Sequence, residues 1–141
     1  MRSLWRFTTI VLICIVAMIV LIIVDETPKR LFPLQWLKAT GSCFRCVLDN
    51  SDLRNIRETS ANLSYSSLRN VQLQKAHLLQ VNFQGSDLTG SNLSEANLVS
   101  ANLTGAILTN AVLVGADLRQ SILDQANITN AVLDNALLSD A

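Results

Sequence analysis

The chain has 141 residues, half of them apolar, and its eleven basic side chains match its eleven acidic ones. That length predicts one domain. With no net positive charge, the chain is not expected to take a nucleic-acid partner.

The apolar residues are unevenly spread. Phe7 to Val24 reads FTTIVLICIVAMIVLIIV, 18 residues without a charge and with Thr8 and Thr9 as their polar members. As a helix this run would be about 27 Å long, close to the ~30 Å hydrocarbon core of a bilayer. A secretory signal would have a shorter apolar region and a small-x-small cleavage site. Here the run ends LIIVDETPKR. An uncleaved transmembrane α-helix over residues 7–24 is therefore expected, ahead of a cleaved signal or a buried core helix. Arg2, Arg6 and the amino terminus precede it, while Asp25 and Glu26 offset Lys29 and Arg30 after it. The positive-inside rule then places residues 1–6 in the cytoplasm and the rest in a periplasm or an equivalent lumen.

Residues 25–45 read as a linker with a short capping helix near 33–40. Leu34, Trp36 and Leu37 in FPLQWLKATG have helix-compatible spacing, and Gly41 is a stop signal after Thr40. Such a helix would lie over whatever follows and bury Trp36.

From Cys46 onward a leucine recurs at every fifth position. Neither a helix, at about 100° per residue, nor a flat strand, with its period of two, collects such leucines on one face. A chain that runs extended for three residues and turns a corner over two does collect them. In ANLVS, Ala96 and Leu98 then point inward and Asn97 outward. The register holds from Cys46 to Asp140 as 19 units without insertion or deletion, with leucine central in 16 of them. Phe83, Ile128 and Glu58 are the other central residues, and the position two before is Ala, Ser or Cys in 16 units. This is a repeat solenoid.

The units ANLSY, SNLSE, ANLVS, ANLTG and ADLRQ resemble the A-(D/N)-L-x-x consensus of the pentapeptide-repeat family. The resemblance implies a right-handed quadrilateral β-helix over residues 46–141, an all-β solenoid of about 4.75 coils with four units in each. Its inward ladder would include Leu63, Leu68, Leu88, Leu93, Leu98, Leu103, Leu108, Leu113 and Leu118. Glu58 is the one charge at a central position. Because an unpaired buried carboxylate is costly, the coil is expected to distort there. Glu58 should turn outward toward Arg54 or Arg57, with Ile56 supplying the lost bulk. Ala141 would open another unit and leave the last coil without cover, and outward positions become apolar toward that end at Ile107, Val112, Ile122, Val132 and Leu137. Those five form the candidate interaction surface, and the uncovered coil suggests self-association end to end.

Cys43 and Cys46 form CFRC. A zinc site needs further ligands, but Cys14 lies in the expected span and His77 is more than a coil away. No βαβ unit supports a redox motif. A structural role, as a local disulfide or as free thiols, is preferred over redox or metal chemistry. LKATGSCFRC also resembles the L-x-x-T-x-x-C-x-x-C entry that precedes the repeats in many cyanobacterial members. His77 is the single histidine and sits at an outward position. No catalytic constellation or phosphate-binding loop is evident, so neither enzyme activity nor a cofactor is expected. Asn-x-Ser/Thr sequons at Asn62, Asn92, Asn102 and Asn127 follow automatically from the consensus.

Residues 1–45 hold six basic and two acidic side chains, and residues 46–141 hold five basic and nine acidic. Two functions stand out. One is a membrane-anchored structural module that binds an unidentified protein partner. The other, implied by family members that mimic DNA and protect DNA gyrase, is a DNA-mimic inhibitor or protector of a topoisomerase. The net −4 of residues 46–141 fits that model poorly.

Overall fold

The computed structural model describes residues 32–141. The expected cytoplasmic N-terminus, the span over residues 7–24 and the linker as far as residue 31 lie outside the described residues. Among the described residues no helix is long and apolar enough to cross a membrane.

The repeat folds as a parallel β-solenoid. Bridges join residues 20 apart from Val47–Ser67 through Asp117–Leu137, all of them parallel. One coil therefore takes 20 residues, or four five-residue units, and equivalent positions stack in four columns. Each unit is bonded in the same way. The central N–H donates to a carbonyl one coil ahead, as Leu98 does to Asp117 (2.7 Å). The residue before it donates to the coil behind, as Asn97 does to Ala76 (2.8 Å). The corner closes through the first N–H of the next unit, Ala101 donating to the carbonyl of Leu98 at 2.9 Å.

These corners demand one unusual conformation. From Arg45 to Asp140 every fifth residue has a positive φ, between 52° and 67°, and 16 of them are not glycine. A left-handed L-residue costs roughly 1–2 kcal/mol. Against that, each such residue donates its own N–H to the next coil wherever one follows, as Ser100 does to Arg119 at 2.9 Å.

Inside, the bore is narrow and lined mainly by apolar side chains. The nine leucines from Leu63 to Leu118 named as the ladder are all at most 1% exposed, as is Phe83. The first residue of most units is small because the central side chains of its own and adjacent columns already fill the bore, and Val71 and Val81 are the bulkier residues buried there. At three of the serines found there the hydroxyl donates to the backbone, Ser66 to Cys43 at 2.8 Å, and Ser86 to Phe83 and Ser91 to Leu88 at 2.7 Å, whereas the Ser121 hydroxyl has no partner.

Helix α1, Pro33–Thr40, covers the N-terminal end. Proline opens it, and Gly41 closes it in the left-handed conformation (φ 68°) with its N–H on the carbonyl of Leu37. Leu37 is the residue pressed into the core at 1% exposure, while Trp36 is only partly buried against it. The ladder also begins one unit ahead of Cys46. Cys43 takes the central position, fully buried, and its N–H bonds the carbonyl of Asn62 at 2.7 Å. Arg45 makes the corner, with φ 54°.

This extra unit corrects the expectation for Glu58. Its backbone is not distorted: its N–H donates to His77 at 2.9 Å, as a central leucine would. The side chain is partly buried and makes no ion pair with Arg54 or Arg57 among the described residues. Its Oε2 lies beside Gly41, 3.1 Å from where a β-carbon would stand. The glycine that ends α1 therefore leaves the room that the carboxylate occupies.

At the other end no element among the described residues covers the last coil. The central N–H groups of Leu123, Ile128, Leu133 and Leu138 make no backbone hydrogen bond, and Ile128 and Leu138 are 47% and 43% exposed. Core substitutions should register this asymmetry. Leu98→Ala, in the closed bore, is expected to destabilise the fold by about 2–5 kcal/mol. Ile128→Ala, in the open coil, should cost clearly less. Equilibrium denaturation of the two variants checks the ranking, and equal losses would contradict the described packing.

Candidate interaction surface

The outward surface is built from the second residue of each unit and the two corner residues. The second residue has a local task. All nine Asn or Asp residues at this position accept a hydrogen bond from the backbone N–H two residues on, at 3.0–3.3 Å, from Asp52 through Asn127. This Asx turn starts the corner. Ser64, Thr89, Ser94 and Thr129 add a hydroxyl donor to the same oxygen. Asn97 and Asp117 are thus scaffold residues at least as much as surface residues. The preference for Asn or Asp one residue before leucine was the available signal.

The five apolar outward residues do not share a face. Ile107 belongs to the column Val47–Ser67–Asp87–Ile107–Asn127, and Val112 and Val132 to the column of Asp52. Leu137 follows Asp117, and Ile122 follows Asn102. Sequence position alone made them look like one patch, but a step of five residues moves to the next side of the rod. They form instead a collar around the open end, with Ile122, Val132 and Leu137 exposed at 41–50%. Together with Ile128 and Leu138 they make that end of the rod apolar.

Half of the charged residues among those described form ion pairs. Arg54 bonds Asp52, Arg69 bonds Asp87, Lys75 faces Glu95, and Arg119 bonds Asp117. The Arg54 guanidinium, helped by the Arg54 backbone N–H, holds the Asp52 carboxyl at about 2. Arg119 lowers Asp117 in the same way. At Asp87 partial burial pushes upward, but the Thr89 hydroxyl and N–H and the Arg69 guanidinium outweigh it and bring the carboxyl down. Among the described residues no cluster of three or more His, Cys, Asp or Glu side chains could hold a metal ion. His77 is exposed in the column between Arg57 and Asn97.

Cys43 and Cys46 are joined by a disulfide with their α-carbons 5.5 Å apart. Both are buried, one central and one at a small inward position, and the Cys43 sulfur touches the Pro33 carbonyl at 3.5 Å. The bond therefore lies between α1 and the first coil. Just outside it, Phe44 meets Tyr65 edge to face at 6.0 Å, and the Arg45 guanidinium sits 5.1 Å from the Phe44 ring. This cluster escaped the sequence reading, although aromatic residues at two outward corner positions were its signal.

The profile described as Pentapeptide repeats (8 copies) matches residues 42–80, 76–113 and 101–140. The chain belongs to the pentapeptide-repeat family. The matched family is one of structural modules, and no catalytic family is indicated. Among solved structures, a pentapeptide-repeat protein of the Arabidopsis thaliana thylakoid lumen is similar at 27% identity with a TM-score of 0.59, covering 64% of this chain and 61% of that one. HetL of the cyanobacterium Nostoc, involved in heterocyst differentiation regulation, is 30% identical with a TM-score of 0.55, covering 71% of this chain and 50% of its own. The chain thus spans less than two thirds of either relative. QnrB1, a plasmid-mediated fluoroquinolone resistance protein, shares the fold at 15% identity, 70% and 61% coverage and a TM-score of 0.50. A comparison with curated proteins finds no match.

The lowered carboxyls give the pentapeptide-repeat rod a defined acid response. Asp52, Asp87 and Asp117 have folded values below the ordinary 3.8. Their contribution is therefore complete above pH ~4 and is lost as pH falls through the folded values, toward about 2 for Asp52. Denaturation midpoints should be level from neutral pH to about 4 and fall below it. In the triple variant Asp52→Asn, Asp87→Asn, Asp117→Asn, which keeps the accepting oxygens, the fall should be smaller.

Proposed function

We propose that this pentapeptide-repeat protein is a membrane-anchored interaction module. It presents a rigid rod on the outer face of the membrane, in a periplasm or lumen, and engages a protein partner through its open end. The observation that carries the reading is the asymmetry of the rod. One end is covered by α1 and stapled by Cys43–Cys46, while the other exposes Ile128, Leu138 and the unpaired N–H groups of its last coil. Family membership supports an interaction role. The apolar run of residues 7–24 supports the anchor, and a disulfide in the entry unit suits an oxidising compartment. The likeness of LKATGSCFRC to the cyanobacterial entry segment fits the same picture, and the Nostoc and thylakoid-lumen relatives are consistent with it.

The second reading, a DNA mimic that shields a topoisomerase, draws on the shared fold of QnrB1, but an identity of 15% carries the fold alone. A mimic must offer a lane of unneutralised acids to a site built for phosphates. Here Asp52, Asp87, Glu95 and Asp117 each face a basic partner.

Topology separates the two. A C-terminal reporter that is active only outside the cytoplasm is expected, and activity confined to the cytoplasm would remove the anchored reading and restore the mimic. The open end also makes a prediction for a second copy as partner. The full chain in detergent should self-associate as its concentration rises, and Ile128→Glu with Leu138→Glu should abolish this. Sedimentation that shows one monomeric species at every concentration would dismiss end-to-end pairing.

A further inference from the structure

The second notable surface lies at the opposite, covered end. Of the five aromatic residues among those described, Phe83 alone is fully buried. The other four, Phe32, Trp36, Phe44 and Tyr65, all sit on α1 or the first two coils. Phe32, Phe44 and Tyr65 are 60%, 39% and 53% exposed, and Val47 beside them is 59% exposed. Phe44 and Tyr65 hold each other edge to face, and the Arg45 guanidinium stacks on Phe44. Phe32 adjoins Pro33, whose carbonyl contacts the Cys43 sulfur next to Phe44. The Tyr65 ring lies along the corner over Gly85, 2.8 Å from where a β-carbon would stand, so any larger residue there would displace it.

The other corners of the described rod carry polar, charged or aliphatic residues and no aromatic ring. Three exposed aromatic rings with a cation are instead the composition of a membrane–water interface, where the ring sits at headgroup level and the cation meets phosphate. Arg45 makes no ion pair among the described residues, unlike Arg54, Arg69 and Arg119. Its charge is thus available to an anionic surface. Distance permits the contact. Seven residues, 25–31, separate the apolar run from Phe32, and even fully extended they reach only about 25 Å. The aromatic corner therefore stays within tether length of the bilayer.

We infer that Phe44, Arg45, Val47 and Tyr65 form a lipid-docking corner that lays the N-terminal end of the rod against an anionic bilayer surface. This rests on the reading of residues 7–24 as a membrane anchor. The docking fixes the tilt of the rod relative to the membrane and directs its open end away from it.

Tyr65 is the chain's only tyrosine, so biosynthetic incorporation of fluorotyrosine places a single reporter in the corner. The full chain is reconstituted into nanodiscs of phosphatidylcholine alone or mixed with phosphatidylglycerol, each with a nitroxide lipid labelled near the headgroup. Fluorine NMR should show severalfold greater broadening of the Tyr65 signal in the anionic discs. Arg45→Glu should return it to the phosphatidylcholine level; that variant keeps the corner, since Glu95 already occupies the equivalent position at φ 57°. Retention in the discs through a high-salt wash reports the anchor separately, because salt screens headgroup attraction and leaves an inserted span in place. Retained protein whose Tyr65 signal is unaffected by anionic lipid, or by Arg45→Glu, overturns the docking and leaves the anchor standing. Protein washed from the discs overturns the anchor and the docking with it.

Discussion

Everything in this rod depends on the left-handed residue at each corner. A run of extended residues can bond to a parallel neighbour only if it returns to the same place one coil later, and twenty residues return only if every corner turns alike. The positive φ found at every fifth residue supplies that turn. It is unfavourable for Lys75, Gln80 or Tyr65 taken alone. The cost is offset because the same residue bonds forward, as Gln80 does to Val99 and Tyr65 to Gln84. Asn and Asp at the second position lower it further by accepting the N–H that the corner would leave unpaired. Spacing is therefore under far tighter constraint than residue identity. One inserted residue would turn every later leucine out of the bore.

The two ends meet the same problem differently. A coil buries its leucines only by having a coil on either side. At the start, α1 takes the place of a preceding coil and Leu37 plugs the bore. The disulfide pins the entry unit where the stack has least support. At the far end no element among the described residues takes that place, and the central residues from Leu123 to Leu138 are less buried than the leucines before them. The two surfaces of interest follow from this. One is the last coil of the core, and the other is a corner made by Phe44, Arg45 and Tyr65, where aromatic rings stand at positions that carry none elsewhere in the described rod.

Much of this could be read from the amino acids. The leucine period sets the inward positions, and FPLQWLKATG announces a helix that ends at Gly41. The number of sides came from family resemblance, because a period of five dictates corners without saying how many close a coil. The 20-residue bridges supply that count. The handedness of the corner residue also had a signal: all four repeat glycines, Gly85, Gly90, Gly105 and Gly115, stand at fifth positions with positive φ. What stayed hidden depended on neighbours in space. The unit Gly41–Arg45 lacks both leucine and alanine, so the register began too late, and Glu58 was judged without the glycine that accommodates it. The apolar collar was read as one patch because neighbours along the chain lie on different sides of the rod. Phe44 and Tyr65 are 21 residues apart, about one coil, and meet only once the coil length is known.

The direction of the ladder has a mechanical consequence. Bonds between coils, such as Leu98 to Asp117, run along the rod axis, whereas the covalent chain runs around it. Tension between the two ends of the rod would load those bonds head-on. They would give way a few at a time, as a zipper does, instead of resisting together as sheared strands do. The Cys43–Cys46 link joins the entry unit to the unit after it and spans no two coils, so it would not interrupt such peeling. The rod is built to bear compression along its axis and to yield when pulled.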